Sequence, residues 1–137
     1  MKILSRRFYM SDTKKVAKNL LGKTLVRKIG KQILSGVIIE TEAYMGKNDP
    51  ASHSSRKKTE RNKIMFGEVG RAYVYFTYGM HYCFNVVAKK ESAESGAVLI
   101  RAIQPRQGIK RMIKNRKTNV ISNLANGPGK LTQAMQI

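Results

Sequence analysis

Apolar residues recur at helical spacing in two segments of the chain. The first segment, residues 11–22, begins at a capping residue, Ser11 or Asp12, and ends at a glycine. The second segment, residues 107–117, combines an apolar stripe with a strongly basic outer face. A third helix is predicted to follow the turn at residues 126–132, where exposed backbone amides could hold a phosphate.

Alternating or β-branched runs predict five strands. They cover residues 23–28, a central strand from Val37 to Tyr44, two segments within residues 71–87, and residues 97–103. Turns at residues 29–31 and 78–81 each join two strands into an antiparallel hairpin, and the second turn contains a glycine. The sequence therefore predicts one α+β domain over residues 1–137, with a curved, mostly antiparallel sheet, packed helices and a protruding β-hairpin.

The central strand holds the first candidate chemistry. If the strand is regular, four side chains share one face, because side chains alternate with period two: Ile38, Glu40, Glu42 and Tyr44. The chain has only eight acidic residues against 27 basic ones, and two of the eight follow this apolar run. Carboxylates near a core cost free energy unless they are paired or used. This pattern favours a working site over the alternative, a solvated edge-strand face.

Arg101 lies inside the apolar strand at residues 97–103. An arginine in such a strand is costly unless a carboxylate pairs with it, and Glu40 or Glu42 is the expected partner. The alternative is an arginine on an exposed sheet face.

Four of the six tyrosines fall between residues 73 and 82. Such residues are typical of an aromatic-rich core hairpin. Tyr78, however, lies beside the predicted turn, where a large aromatic packs poorly into its own core. A residue of this kind is suited to act as a wedge in a stack of bases.

Charge narrows the possible partners. A formal net charge of +19 and a sequence pI of about 10.4 favour a polyanion, with nucleic acid ahead of an anionic membrane surface. No apolar run reaches membrane-spanning length and the first residues lack a signal-peptide hydrophobic region, so an intracellular location is predicted: cytoplasm or nucleoid, or nucleus in a eukaryote. Cys83 is the sole cysteine beside two histidines, which indicates a reducing compartment and predicts no zinc site.

These segments together resemble the alkyladenine (3-methyladenine) DNA glycosylase family, monofunctional enzymes that remove alkylated and deaminated purines. The matching segments occur in order over most of the chain: residues 20–26, 39–44, Arg61-Asn62 with Met65-Phe66, the hairpin through Asn85, and residues 100–102 and 127–131. The resemblance implies base excision repair, in which a damaged purine is flipped out of double-stranded DNA and its N-glycosidic bond is hydrolysed.

The resemblance also implies residue roles. Glu42 would be the general base that activates the attacking water, and Arg101 would help to hold that water. Tyr78 would fill the gap left in the duplex. The base pocket would be formed by Tyr44, Ala51, Ser52, His53, Tyr75, Cys83 and Asn85. Phosphates would be bound by Arg61, Asn62 and Lys130. No cofactor or metal is implied, and the expected state is a monomer without membrane association or an obligatory protein partner.

Three features depart from the family pattern. Ser52 stands where relatives often carry alanine, and the turn residue His81 is variable. Family members continue beyond residues 127–131 with further strands, so a C-terminally short domain with an uncovered apolar sheet edge is expected. Two alternatives to an active enzyme follow, a catalytically inactive truncated remnant and a small basic nucleic-acid-binding module. The binding module gives no reason for Glu40 and Glu42, which would repel phosphates.

Overall fold

The computed structural model describes residues 1–46, 49–52 and 57–137. The described residues form five strands, β1 (Thr24–Ile29), β2 (Gln32–Met45), β3 (Ala72–Thr77), β4 (His81–Val87) and β5 (Gly96–Gln107). They also form three helices, α1 (Thr13–Leu20), α2 (Ile109–Arg116) and α3 (Pro128–Met135). All neighbouring strands pair antiparallel in the order β1-β2-β5-β4-β3. The predicted α+β class with an antiparallel sheet is confirmed.

The helices are short and begin or end at recognisable residues. Asp12 caps α1, because its carboxylate accepts a hydrogen bond of 3.2 Å from the backbone N–H of Lys15. Of the two predicted caps, Asp12 is therefore the one used, and α1 is shorter than the predicted range 11–22. Among the described residues, no helix is both long and apolar enough to cross a membrane.

Both predicted hairpins are confirmed. The strands β1 and β2 meet at a turn in which Gly30 has a φ of +58°. The strands β3 and β4 meet at Tyr78 and Gly79, whose φ values are +55° and +64°. A positive φ is uncommon for a tyrosine, and the turn is closed by a 3.2 Å hydrogen bond from the Met80 N–H to the Thr77 carbonyl.

The main hydrophobic core lies between one face of the sheet and the three helices. Its buried side chains come from all these elements: Val16 and Leu20 of α1, Ile38 of β2, Val98, Ile100 and Ile103 of β5, Met112 of α2, and Leu131 and Met135 of α3. A smaller cluster of Met65, Tyr73, Val87 and Ala97 packs with Tyr44 and Tyr75. Because Val87 and Ala97 alternate with their neighbours in the main core, this second cluster lies on the opposite face of the sheet. We call the two sides the helix-covered face and the open face.

The predicted common face of Ile38, Glu40, Glu42 and Tyr44 is wrong in part. Glu42 and Tyr44 lie together on the open face, but Ile38 belongs to the helix-covered core and Glu40 is exposed.

The physical reason is a pair of register shifts. Ile38 pairs with Ile103 and Glu40 with Ala102, so Ile39 is an extra residue in β2. Thr41 then pairs with Ile100, which leaves Arg101 as the extra residue in β5. Each bulge interrupts the alternation, and the two strands regain their pairing with side chains moved to the other face.

Candidate active site

The carboxylate of Glu42 is the centre of the site on the open face. The Arg101 guanidinium donates to its Oε1 at 2.6 Å, and the Tyr44 hydroxyl donates to its Oε2. The side chains of Glu42 and Arg101 each keep 39% of their surface exposed. The carboxylate is therefore held from two sides and still reaches solvent, as a group that activates water must.

The expectation that a carboxylate pairs with Arg101 is confirmed, and Glu42 rather than Glu40 forms the ion pair. The bulges explain the choice. Arg101 is the extra residue between Ile100 and Ala102, and Glu42 lies opposite Leu99, two positions away. A bulge re-aims a side chain in this way without interrupting the strand.

Two neighbours of Glu42 remain protonated at ordinary pH. Burial, followed by the hydrogen bond to Glu42 and the charge of Glu42, raises the pKa of Tyr44 to about 12. Burial first and the Glu42 charge second also raise the pKa of the Cys83 thiol. Tyr44 therefore acts as a hydrogen-bond donor and Cys83 stays a neutral thiol. Of these three groups, Glu42 is the one that can accept a proton from water.

A row of cross-strand pairs connects the hairpin to this carboxylate. Tyr73 pairs with Asn85, Asn85 with Leu99, and Leu99 with Glu42. Asn85 is buried, and its amide nitrogen donates to the carbonyls of Tyr73 and Cys83 at 3.0 and 3.3 Å. The Asn85 amide, which the resemblance assigns to the base pocket, is therefore fixed in orientation by the hairpin backbone.

Tyr75 lies further along the hairpin, paired with Cys83. The buried ring of Tyr73 meets it edge to face, with 5.9 Å between the ring centroids. Burial raises the pKa of Tyr73, with a smaller contribution from Tyr75, so this phenol also stays neutral. Tyr73 was not among the predicted pocket residues, although the period-two alternation places it on the same face as Tyr75.

Arg61 covers one face of the Tyr75 ring. The guanidinium carbon lies 4.3 Å from the ring centroid, and Nη2 donates to the Phe76 carbonyl. This contact was not predicted, because Arg61 comes from a polar loop without periodicity. The phosphate-binding role of Arg61 stays a prediction.

The loop after β2 is organised by Asp49. Its carboxylate accepts hydrogen bonds from the backbone N–H groups of Met45 and Ala51, both at 3.0 Å. The Asp49 carbonyl accepts a third bond of 3.0 Å from the N–H of Ser52, which is buried, whereas Ala51 is exposed. Asp49 was not predicted, although aspartate is a common organiser of tight turns. The predicted pocket residue His53 lies outside the described residues.

The other two predicted phosphate ligands, Asn62 and Lys130, form hydrogen bonds within the chain. Asn62 is buried, where its amide donates to the Lys57 carbonyl at 2.9 Å and accepts from the Thr59 N–H at 2.6 Å. Lys130 is on α3, on the helix-covered side, and its ammonium group donates to Asn123 at 2.8 Å. The structure does not bring Lys130 to the open face, and no contact tests either phosphate role.

Tyr78 at the hairpin tip is exposed, but the first residues of β4, next to the turn, are anchored by α3. Tyr78 has 89% of its surface exposed. On the neighbouring strand, the Tyr82 carbonyl accepts a 2.9 Å hydrogen bond from the Thr132 hydroxyl of α3. A Cβ atom at Gly129 would lie 2.9 Å from the His81 ring, so glycine is needed for this close approach. The last helix therefore holds the hairpin that carries Tyr78.

The chain is similar to known proteins along most of its length. The family model described as methylpurine-DNA glycosylase matches residues 7–137. A curated protein of Prosthecochloris aestuarii, named "Putative 3-methyladenine DNA glycosylase", is 55% identical over 133 residues, which are 96% of this chain and 64% of that protein. Proteins of the same name from Carboxydothermus hydrogenoformans and Koribacter versatilis are 51% and 43% identical, over 98% of this chain and 70% and 65% of their own lengths. The chain thus spans just under two thirds of the length of the Prosthecochloris relative.

Proposed function

Since this chain belongs to the methylpurine-DNA glycosylase family, we propose that it is a monofunctional DNA glycosylase of base excision repair. It hydrolyses the N-glycosidic bond of alkylated or deaminated purines in double-stranded DNA, inside the cell. The observation that carries the proposal is the Glu42 carboxylate, held by Arg101 and Tyr44 at the solvent-accessible end of an aromatic sheet face.

In this mechanism Glu42 takes a proton from a water molecule, and the water oxygen bonds to C1′ of the sugar. The bond between C1′ and the purine nitrogen breaks, and its electron pair leaves with the base. An alkylated purine that carries a positive charge departs neutral, whereas a neutral lesion needs a proton from solvent or from a donor. The Glu42 charge also faces the positive charge that develops on the sugar, as in glycoside hydrolysis.

Arg101 and Tyr44 act through the carboxylate. Their two hydrogen bonds, one to each oxygen, fix the plane of the Glu42 side chain. A carboxylate fixed in this plane orients the attacking water for the reaction. Arg101 also donates a hydrogen bond to that water. The expected products are a free base and an abasic site, without strand cleavage.

DNA engagement rests on charge and on the hairpin. With a formal charge of +19, the chain attracts phosphates without regard to sequence. The exposed Tyr78 then enters the minor groove and fills the gap as the damaged nucleotide rotates into the pocket. Flipping costs a few kcal/mol and least for weakly paired lesions, so this step selects damage. The pocket walls would include Tyr44 and Tyr75.

The test is base release by the purified 137-residue chain from duplex DNA that holds one hypoxanthine or one ethenoadenine. Alkali then cleaves the strand at abasic sites. Strand breaks at the lesion are expected from the parent chain and are expected to disappear in Glu42→Gln, with DNA binding retained. Glu40→Gln is the matched control, because Glu40 is an exposed carboxylate of the same strand, and it should keep the activity.

Two results would overturn the proposal. Turnover retained in Glu42→Gln would remove Glu42 from its role. Salt-sensitive DNA binding without any base release by the parent chain would leave the inactive remnant or the plain binding module.

A further inference from the structure

The Tyr75 ring carries a cation on one face. Arg61 reaches it from the loop between β2 and β3 and is itself exposed. Two contacts hold the Arg61 guanidinium. It stacks on the Tyr75 ring, with its carbon 4.3 Å from the ring centroid, and it donates a hydrogen bond to the Phe76 carbonyl. These two contacts place the guanidinium on the face of the Tyr75 ring.

The Tyr75 ring also packs against Tyr73. Tyr73 is buried and meets Tyr75 edge to face, at an interplanar angle of 75°. Cys83, the cross-strand partner of Tyr75, lies close enough to Glu42 and Arg101 for their charges to act on its thiol. Tyr75 thus belongs to the same site as the carboxylate, and Arg61 adds a charge where Tyr73 already provides packing.

We propose that Arg61 is a specificity-determining residue, which biases the pocket toward neutral damaged purines and against cationic alkylated purines. The inference rests on the proposed function. It assigns Arg61 a role at the pocket wall, in place of the phosphate contact expected from the resemblance.

The expected effect of Arg61 is electrostatic. An aromatic ring attracts a cation to its face through the ring quadrupole. A purine that stacked on the Tyr75 face opposite Arg61 would be separated from the guanidinium by little more than the thickness of that ring. A positively charged purine there meets a ring already polarised by one cation and is repelled by the like charge. A neutral purine, such as ethenoadenine or hypoxanthine, stacks without this penalty.

Two other roles for Arg61 make different predictions. As a phosphate ligand, it would strengthen binding to every duplex, damaged or not. As a simple support for Tyr75, it would strengthen binding to both kinds of lesion equally. Only an electrostatic role changes the ratio between cationic and neutral lesions, so this ratio is the quantity to measure.

The experiment compares three variants in the 137-residue Glu42→Gln chain, so that lesions are bound and not consumed. Arg61→Met removes the charge and keeps a long side chain that packs on the ring. Arg61→Lys keeps the charge. Lys58→Met is the matched control, because Lys58 lies in the same loop, over the Phe66 ring at 5.9 Å, and its loss changes the net charge equally.

Dissociation constants are measured for duplexes with one ethenoadenine, one 2′-fluoro-stabilised 7-methylguanine, or no lesion. In Arg61→Met we expect the preference for the cationic over the neutral lesion to rise about two- to fivefold, the size of a cation–π contact at an exposed site. Arg61→Lys and Lys58→Met should keep the parental ratio.

A parental ratio in Arg61→Met, with preference for lesions over undamaged DNA intact, would overturn the role of Arg61 alone. An equal loss for both lesions in Arg61→Met and Arg61→Lys would identify a support and also overturn it. If the Glu42→Gln parent prefers neither lesion and the chain with Glu42 releases no ethenoadenine, the proposed function fails and the specificity role fails with it.

Discussion

The two faces of the β2–β5 strand pair differ sharply, although both are formed by side chains of the same two strands. On the helix-covered face, Ile38, Ile100 and Ile103 keep only 4%, 2% and 2% of their surface exposed. On the open face, Glu42 and Arg101 keep 39% each. One face is dry and apolar, and the other is polar and reaches water.

The difference between the faces shows how a largely apolar strand can expose a carboxylate to solvent. The extra residues Ile39 in β2 and Arg101 in β5 interrupt the alternation in both strands at almost the same point. Ile100 and Ile103, three residues apart, can then both enter the main core. Because the bulges move side chains from one face to the other, the same two strands supply isoleucines to the main core and the ion pair to the open face, without an intervening loop.

The largest effect is expected from truncating the helix-covered face. Ile38→Ala should lower the free energy of unfolding by about 2–5 kcal/mol, because it leaves a cavity in the main core. Ile39→Ala, at a neighbouring side chain that is 49% exposed, should lower it by less than about 1 kcal/mol. Urea denaturation measures both. Equal losses would contradict the bulge that separates these two residues.

The next effect belongs to the open face. Arg101→Met should reduce base release by about 10- to 100-fold, because the Glu42 side chain loses its 2.6 Å partner and its fixed position. Arg106→Met, also in β5 but with its guanidinium on the exposed Gln104, is the control and should keep the rate. Single-turnover kinetics measure the chemical step. If Arg106→Met were as damaging, loss of positive charge rather than the ion pair would be responsible.

The hairpin tip, where Tyr78 is exposed, differs from both faces of the strand pair. Tyr78→Ala should weaken binding to lesion-containing duplex by about tenfold, the contribution of one base–aromatic stack, and leave association with undamaged DNA nearly unchanged. Met80→Ala removes another exposed side chain of the same turn and should change neither. Competition binding with the two duplexes makes the measurement. Unchanged lesion selectivity in Tyr78→Ala would exclude the wedge.

The smallest effect depends on pH. The pKa of Tyr44 is raised from 10 to about 12 in the folded chain, so above pH 10 the unfolded state ionises first and gains stability. The parent should therefore lose stability relative to Tyr44→Phe as the pH rises from 10 to 12, and keep a constant difference below pH 10. Denaturation across this range, with both proteins side by side, measures it. If the difference in stability between the two proteins stayed constant up to pH 12, burial and Glu42 would not raise the pKa of Tyr44.

Much of this arrangement could be predicted from local patterns. The caps, glycines and alternating runs predicted the first helix, both hairpins and the antiparallel α+β class. The scarcity of acids pointed to Glu40 and Glu42, and the cost of an arginine in an apolar strand pointed to the pairing of one of them with Arg101. These predictions succeed because each depends on residues close together in the chain or on the free energy of one buried charge.

The bulges and the loop contacts could not be predicted. Regular alternation predicted Ile38 and Glu42 on one face, whereas the bulges place them on opposite faces. The bulges could not be predicted, because the register of β2 against β5 depends on packing between residues about 60 apart in sequence. The contact of Arg61 with Tyr75 and the burial of Asn62 come from a polar loop that has no periodicity to interpret. Such contacts depend on the assembled sheet rather than on the local sequence.

The anchoring of the hairpin by α3 has a consequence for synthesis. The Thr132 hydroxyl holds the Tyr82 carbonyl across 50 positions of sequence. At about 5–20 residues per second, a nascent chain would carry the completed hairpin for roughly 2–10 seconds before its anchor is made. During that interval Tyr82, whose ring packs on Phe76 with 4.8 Å between the centroids, would lack its hydrogen bond to α3. Slower translation would lengthen the time for which this hairpin is unanchored.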